Sequence, residues 1–223
     1  MIPLVAEGLT KEYDDLVALH SFDLTCRAGE LVALVGHNGS GKSTFLRLAA
    51  GLLDPSAGEV RVAGVPAGSI GARAALSFVP DEPVLYDDLS VDEHVEYIGR
   101  LHGVDDWPER ADELIERFDL GARSEDLPRR FSRGLRQKTA LVLGFVRPFS
   151  VLLVDEPFVG LDPAGQRALT ELLVETAREG ACVVVATHQL DFLDRADRAV
   201  GLRDGHVEFS GKVDLDKVRR LLG

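Results

Sequence analysis

Cysteine is scarce in this sequence, which contains only Cys26 and Cys182. The two lie far apart along the chain, each in an apolar stretch, and they do not form the pattern of a disulfide framework. We therefore expect buried free thiols in a protein of a reducing compartment.

Long hydrophobic runs are also missing. A transmembrane helix needs about 20 consecutive apolar residues, and the longest candidate, TALVLGFVRPFSVLLV, is interrupted by Arg147 and Pro148. The N-terminal MIPLVAEGLTKEYDD has no basic region followed by an apolar run, so no signal peptide is expected. We expect a chain that does not itself cross a membrane.

Positive charge is in deficit. The 223 residues include 25 Lys and Arg against 37 Asp and Glu, which gives a formal net charge of -12 and a pI near 4.9. Such a chain is poorly suited to nonspecific binding of nucleic acid or anionic lipid headgroups. We expect no nucleic-acid partner, and we expect any membrane association to depend on a protein partner.

The pattern of apolar residues indicates an α/β fold. IPLVAEGL, FDLTCRAGE, ELVALVG and GEVRVAG are typical of short strands, several of them half-buried and antiparallel. After residue 150, the apolar strands VLLVD and CVVVAT alternate with a helix over AGQRALTELLVETAREG, for which Asp162 and Pro163 supply the cap and first position. RAVGLRDGHVEFSG predicts a hairpin that turns at Asp204–Gly205.

The pattern of residues changes at about residues 87–149, where it predicts a helical lobe. Ser90 and Glu93 form a capping-box pattern before one helix, and Pro108 opens a second helix that we expect Gly121 to close. A third helix is predicted after Ser132. The lobe interrupts a single domain of residues 1–223, in which about 1–86 and 150–223 form the parallel core and an antiparallel β lobe.

Residues 36–43, GHNGSGKS, match the phosphate-loop pattern G-x-x-x-x-G-K-[ST] between an apolar strand and a helical pattern. The glycines allow the backbone to wrap closely round an anion, and the helix N-terminus adds its dipole. Lys42 is predicted to neutralise the β- and γ-phosphates, and the Ser43 hydroxyl to ligate Mg²⁺. These residues predict a nucleotide site.

Acidic and imidazole side chains follow two further apolar strands. Asp155 ends the strand VLLVD, where a carboxylate would be costly unless a Mg²⁺ ion were held through water at the phosphates. Glu156 follows at the strand exit, placed to polarise a water for attack on the γ-phosphate. His188 comes after CVVVAT at another strand exit, and a lone histidine is more often structural than catalytic.

The order of GHNGSGKST, FSRGLRQK, VLLVDEP, GLDP and ATH resembles the nucleotide-binding subunit of an ABC transporter over essentially the whole chain. The resemblance implies a P-loop NTPase core with an antiparallel β lobe and an inserted helical lobe. It also implies two such domains, facing head to tail, that sandwich two ATP molecules. Each site would then be completed by the signature loop of the other domain, either a second copy or a paralogue.

The resemblance also assigns roles to individual residues. Tyr13 matches the aromatic that stacks on adenine, a packed surface aromatic being the alternative. Glu156 matches the catalytic glutamate, His188 the switch histidine that senses the γ-phosphate, and Asp162 in GLDP the loop that communicates between the two sites. Nucleotide binding by the phosphate loop is assigned to Gly36, Asn38, Gly39, Gly41, Lys42, Ser43 and Thr44.

The signature stretch departs from the usual LSGGQ of the family. Here it is FSRGL, which retains Ser132 and the second glycine as Gly134. Arg133 stands in place of the first glycine, and Leu135 stands in place of the glutamine. Ser132 is predicted to cap the following helix and form an anion-binding helix N-terminus. Arg133 either adds charge toward the partner's γ-phosphate or lies in solvent, and a solvated face is expected for Arg129 and Arg130.

A second departure is Asp81, which stands in FVPDEP where family members usually carry glutamine as a ligand of Mg²⁺ or its water. A carboxylate ligates Mg²⁺ as well as an amide oxygen but is shorter and donates no hydrogen bond. The predicted metal ligands are therefore Ser43, Asp155 and Asp81.

These features predict the ATP-binding and ATP-hydrolysing subunit of an ABC transporter, with ATP and Mg²⁺ as cofactors. It would bind a separate polytopic membrane subunit at the cytoplasmic face of the cell membrane, and the short C-terminus resembles ABC-2-type exporters. One alternative is a soluble ABC-type ATPase that acts on a ribosome, chromosome or assembly partner. A second is an unrelated P-loop kinase or GTPase, although no N-K-x-D motif for guanine is present.

Overall fold

The computed structural model describes residues 2–222. The first strands of the chain form an antiparallel sheet. Its order is β2-β1-β4-β5, with buried and less buried side chains mixed along each of the longer strands, as the sequence predicted for half-buried strands. These strands are β1 (Leu4–Tyr13), β2 (Leu16–Cys26), β4 (Ala57–Val62) and the short β5 (Val65–Pro66).

A second sheet has six strands in the order β10-β9-β3-β8-β7-β6. They are β3 (Leu31–Val35), β6 (Leu76–Val79), β7 (Val151–Asp155), β8 (Cys182–Ala186), β9 (Arg198–Arg203) and β10 (His206–Gly211). Strands β3, β7 and β8 are buried at every position and β8 pairs in parallel with both others. Because strands buried on both faces are mostly apolar, the runs of Val, Leu and Ala in these strands predicted this parallel core correctly.

The hairpin at the sheet edge turns where the sequence predicted. Strands β9 and β10 pair antiparallel, and between them Asp204 and Gly205 have φ values of 48° and 77°. Two successive residues with positive φ give a turn whose twist matches that of the flanking strands, and Asp-Gly is a favoured pair for it.

Helix α1 (Lys42–Ala49) is anchored by aromatic packing. Its Phe45 contacts Phe22 of β2, with ring centroids 4.5 Å apart, and both side chains are fully buried. This contact fixes the helix that follows the phosphate loop against the antiparallel sheet. The other helices outside the helical segment, residues 87–149, are α2 (Ile70–Ala75), α6 (Pro163–Arg178), α7 (Leu190–Leu193) and α8 (Leu215–Leu222).

The helical segment contains α3 (Val91–Leu101), α4 (Trp107–Arg117) and α5 (Arg133–Phe145). The predicted capping box is present at the start of α3: the Glu93 amide donates to the Ser90 hydroxyl over 3.2 Å, and the Ser90 amide donates to the Glu93 carboxylate over 2.7 Å. Ser132 caps α5 as predicted, its hydroxyl accepting from the Leu135 amide over 3.3 Å.

The predicted end of the second helix was wrong. Helix α4 ends at Arg117, and Gly121 instead begins a short 3₁₀ helix, Gly121–Arg123. The left-handed position after the helix is Asp119, with φ 53°, and the amides of Asp119 and Leu120 bond back to the carbonyls of Glu116 and Ile115. Aspartate tolerates the left-handed region better than most residues, so it closes the helix where glycine is the commoner signal.

The chain forms two compact units. The first contains residues up to Phe78, Phe149–Glu156 and residues from Leu172 onward; the second contains Val79–Pro148 and Pro157–Glu171. The first unit therefore includes both sheets apart from the end of β6, and the second unit includes α3, α4 and α5. Among residues 2–222, no helix is both long and apolar enough to span a bilayer.

Candidate functional site

The phosphate-loop segment follows β3 and leads into α1 at Lys42. A Cβ atom on Gly36 would lie 2.3 Å from the carbonyl oxygen of Leu202, and one on Gly41, whose φ is 105°, would lie 2.8 Å from that of Ala18. The loop can therefore follow this tight path only with glycine at both positions. The first amides of α1 have no partners within the helix, which makes its start a site for an anion.

Lys42 has the electrostatics expected of a phosphate ligand. Its side chain is 5% exposed, and its ammonium donates to the carbonyl oxygens of Gly36, over 2.7 Å, and His37, over 3.2 Å. Oε1 of the Glu156 carboxylate is 3.6 Å from the same ammonium. A buried charge is costly unless it is paired. Glu156 and the two carbonyl oxygens partner this ammonium here, and a phosphate in the loop would be a further partner at the same place.

Glu156 lies between Lys42 and His188. While Oε1 faces Lys42, Oε2 is 2.9 Å from Nδ1 of His188, and the glutamate side chain is only 13% exposed. Its backbone has φ 45°, and its amide donates to the Ala186 carbonyl over 2.9 Å. A non-glycine residue at positive φ is strained, and such residues are frequent at functional sites.

The sheet explains why these three residues meet. Strands β3, β8 and β7 are parallel neighbours, so the segments that follow them emerge at one edge. Lys42 follows β3, Glu156 follows β7 and His188 follows β8. In open α/β sheets, ligands bind at this carboxyl edge of the strands.

The oxygen ligands at this edge suit a cation that is shared with phosphates. Asp155 is the last residue of β7 and is 1% exposed, and Ser43 and Thr44 lie half-buried in the first turn of α1. Within residues 2–222, no three His, Cys, Asp or Glu side chains are grouped as a metal site. Since Mg²⁺ is usually held by one or two carboxylates together with substrate phosphates and water, this sparse set fits it.

A hairpin contact supports the phosphate loop and was missed from the sequence. The amide of Gly205, in the β9–β10 turn, donates to the Ser40 carbonyl over 3.1 Å. Beside it, Nε2 of His37 lies 3.4 Å from the Asp204 carboxylate. The Asp-Gly turn itself was visible in the sequence, but nothing local indicated that its tip contacts residues 36–43.

Two predicted nucleotide ligands lie at the periphery of this group. Tyr13, at the end of β1, is 42% exposed, and the Lys11 ammonium lies 5.1 Å from its ring centroid. Asn38 is exposed, and its carbonyl oxygen is 2.8 Å from Nδ1 of His37. The structure thus places Glu156 in contact with both Lys42 and His188, whereas Tyr13 lies in the antiparallel sheet with its ring accessible.

The remaining predicted residues belong to the second unit. A Cβ atom on Gly134 would lie 2.4 Å from the carbonyl oxygen of Gly160, so the first turn of α5 is in close backbone contact with the segment before α6. Arg129 and Arg130 are exposed, as expected. Arg133 extends to Asp81, with Nη2 3.3 Å from Oδ1.

Asp162 has a partner that sequence reasoning missed. The Lys138 ammonium lies 3.1 Å from its carboxylate, and this hydrogen bond holds the pKa of the Asp162 carboxyl below its usual value. Lys138 was visible only as one of several basic residues after Pro128. The pairing joins the second turn of α5 to the start of α6, two elements that are distant in the sequence.

Known proteins are similar to this chain in sequence and in fold. The family model described as ABC transporter matches residues 19–159. The ABC-type transporter ATP-binding protein EcsA of Bacillus subtilis is 32% identical over 225 residues, covering 99% of this chain and 90% of EcsA. The SkfA peptide export ATP-binding protein SkfE, also of Bacillus subtilis, is 32% identical over 202 residues, or 89% of this chain and 84% of SkfE.

A solved structure supports the same relationship. The dimeric structure of MJ0796, described as a bacterial ABC transporter cassette, superposes with a TM-score of 0.87 at 26% identity. The match covers 95% of this chain and 99% of the MJ0796 chain. The predicted fold class, an α/β ABC-type cassette, is therefore confirmed.

Proposed function

Given that this chain belongs to the ABC transporter family, as an ATP-binding subunit that hydrolyses ATP, we propose how its residues share that work. The catalytic core and β lobe are residues of about 1–86 and 150–223, and the helical lobe with the signature loop is about 87–149. Together they form a single ATPase domain. The observation that carries the proposal is the contact of Glu156 with both Lys42 and His188 at the edge of the parallel sheet.

Each residue of this group has a distinct task. The amides of Gly39, Gly41 and the start of α1 bind the phosphates, and Lys42 neutralises them. Glu156 takes a proton from the attacking water, as a carboxylate at the site can do for a nucleophile. His188 orients Glu156 through the 2.9 Å contact and senses the γ-phosphate. Tyr13 stacks on the adenine, for which its exposed ring is available.

Magnesium has a place in this arrangement. Ser43 and Asp155 would hold the ion, and Asp81 is a third candidate that belongs to the second unit. When bound, Mg²⁺ neutralises charge that develops on the β- and γ-phosphates. The carboxylate of Asp155 is kept at the end of β7, where a divalent cation would offset the cost of its burial.

Two copies of the cassette, or this chain and a paralogue, assemble as a dimer, which the dimeric structure of MJ0796 supports. We propose that the two domains face head to tail. Ser132 and Arg133 are exposed at the N-terminus of α5, where a helix binds anions. They contact the γ-phosphate of ATP bound to the opposite chain, and Asp162 communicates between the two sites. ATP closes the dimer because only the intact γ-phosphate bridges both chains, and hydrolysis reopens it.

A separate polytopic membrane subunit binds the second unit. Residues 81–126 contain 16 of the 37 acidic and 4 of the 25 basic residues, so their net charge of -12 equals that of the whole chain. Anionic lipids repel such a segment, whereas the cytoplasmic loops of membrane proteins are enriched in Lys and Arg. The same segment exposes the apolar side chains Val84, Tyr86, Tyr97 and Leu101.

This partner would place the chain at the cytoplasmic face of the cell membrane. Export is the direction we propose, since SkfE, one of the similar proteins, is named for peptide export. The family comparisons support a transporter subunit and give no support to a soluble ABC-type ATPase acting on ribosomes, chromosomes or assembly partners.

The variant Glu156→Gln tests the proposed catalytic site. We expect at least about a hundredfold loss of ATP turnover, the scale of a lost general base, with ATP binding retained and an ATP-bound dimer accumulating in analytical ultracentrifugation. Glu171→Gln, an equivalent change on the exposed face of α6, is the matched control and should hydrolyse ATP like the original protein. Brisk hydrolysis by Glu156→Gln would refute the assignment.

The transporter partner is tested with the same trapped variant. Tagged Glu156→Gln protein, with Mg²⁺ and ATP, is recovered from detergent-solubilised membranes of its own host, and bound proteins are identified by mass spectrometry. A stoichiometric polytopic membrane protein is the expected result. Recovery of only ribosomal, DNA-associated or other soluble proteins would overturn the proposed partner and leave the ATPase assignment in place.

A further inference from the structure

The two departures from the family pattern, Arg133 and Asp81, contact each other. Nη2 of Arg133 lies 3.3 Å from Oδ1 of Asp81, 52 residues earlier in the chain. The side chains are 61% and 41% exposed, so both are accessible to a ligand. An arginine in the signature loop and an aspartate in the segment after β6 are therefore a matched pair of unusual residues within the second unit.

Arg133 is held along its length as well as at its tip. A Cβ atom on Gly160 would lie 3.3 Å from Cγ and 3.6 Å from Cδ of Arg133, so the stem of the arginine packs on that glycine. Gly160 has φ 82°. A side chain at this position would be strained and would press on the arginine. Because Gly160 has none, the stem of Arg133 lies against it and the guanidinium reaches Asp81.

The position of Arg133 favours a negatively charged group beside its guanidinium. It is the first residue of α5, and the partial positive charge of a helix N-terminus disfavours a cation there. Three acidic residues from other segments offset the basic start of this helix: Asp81 faces Arg133, Asp87 lies 4.0 Å from Arg136, and Asp162 lies 3.1 Å from Lys138. Of these basic partners, Arg133 is the most exposed.

We propose that Asp81 is a displaceable counter-ion of Arg133, and that the γ-phosphate of ATP bound to the opposite chain takes its place when the dimer closes. The inference rests on the proposed function, because it requires the signature loop to face nucleotide across a dimer. An exposed ion pair contributes little to stability, so a phosphate of higher charge, supported by the dipole of α5, displaces the single carboxylate. Asp81 is thus a positioning residue that acts through Arg133.

This role differs from that of a magnesium ligand in its measurable consequences. A counter-ion competes with the γ-phosphate, so its removal favours closure of the dimer on ATP. Removal of Asp81 favours this closure only while Arg133 is present. A magnesium ligand, by contrast, assists ATP binding, so its removal raises the Mg²⁺ requirement whether or not Arg133 is present.

The experiment measures steady-state ATP hydrolysis by the full chain carrying Asp81→Ala, Arg133→Gln or both changes. We expect Asp81→Ala to lower the KM for Mg²⁺-ATP by about twofold to fivefold, the range set by an exposed ion pair, with kcat little changed. In the Arg133→Gln background, Asp81→Ala should have no further effect. Asp87→Ala is the matched control, since it removes the same charge from the same segment, and it should leave KM unchanged.

Three results would overturn the inference while the original protein still hydrolyses ATP. They are an unchanged or raised KM for Asp81→Ala, an effect of equal size without Arg133, and an equal effect of Asp87→Ala. A raised requirement for free Mg²⁺ in both backgrounds would assign Asp81 to the metal instead. Failure of the original protein to hydrolyse ATP or to dimerise would be a failure of the proposed function, and thermal melting of each variant verifies folding.

Discussion

Nδ1 of His188 lies 2.9 Å from Oε2 of Glu156, while the other oxygen of the same carboxylate faces Lys42 at 3.6 Å. For the shorter contact to be a hydrogen bond, His188 must carry a proton on Nδ1, because a carboxylate only accepts. The proposed base is therefore held from two sides by residues that follow different strands. Its orientation depends on the order of the parallel sheet.

The contact predicts the effect of replacing the histidine. His188→Ala removes the side chain that orients Glu156, so kcat for ATP hydrolysis should fall by about a hundredfold, the scale of an acid–base contribution. The affinity for ATP should change much less, since the phosphate loop is intact. Steady-state kinetics with a fluorescent ATP-binding assay separate the two effects. His102→Ala in the second unit is the control, and an equal loss of turnover there would contradict the assignment.

The backbone of Glu156 predicts a difference between two deletions of its carboxylate. At φ 45°, a residue with a Cβ atom is less stable than glycine by about 1 kcal/mol. Glu156→Gly should therefore be more stable than Glu156→Ala by about that amount, although both lose ATP turnover. Urea unfolding of the two variants measures the difference. Equal stability, or a more stable alanine variant, would show that the backbone relaxes at this position.

Close backbone contact at Gly134 predicts a large effect of a single methyl group. In Gly134→Ala, the new Cβ would lie 2.4 Å from the Gly160 carbonyl oxygen, and overpacking of this kind costs about 1–3 kcal/mol. Gly121→Ala is the matched control, because its Cβ would meet nothing within 4 Å. We expect urea unfolding to show destabilisation only for Gly134→Ala. Similar midpoints for both variants would mean that the segment around Gly160 moves aside.

The burial of both cysteines predicts that their thiols are inaccessible to reagents in the native protein. Cys26 and Cys182 are free and fully buried, and a hydrogen bond between their side chains, together with burial, raises the pKa of the Cys26 thiol. Because the thiolate is the reactive form, we expect no reaction of the native protein with Ellman's reagent and two equivalents in denaturant. Rapid labelling of the native protein would refute this burial.

Local sequence signals were sufficient for many elements. The glycines and Lys42 of the phosphate loop, the Ser90 capping box, the Ser132 cap and the Asp204–Gly205 turn each act through neighbouring backbone, so short patterns predicted them. The exception was the end of α4, where Asp119 takes the left-handed position that glycine was expected to provide nearby. The choice between them follows from the hydrogen bonds of the last helical turn, which residue type alone does not determine.

The sequence by itself determined the family, the strand and helix types and the candidate site residues, because these depend on periodicity and on spacing along the chain. Only the tertiary structure decided which of those residues touch. The contact of Cys26 with Cys182 depends on how β2 and β8 pack, that of Lys42 with Glu156 on strand order, and that of Asp81 with Arg133 on the packing of the second unit. Such contacts arise from long-range packing, which leaves no periodic signal in one chain.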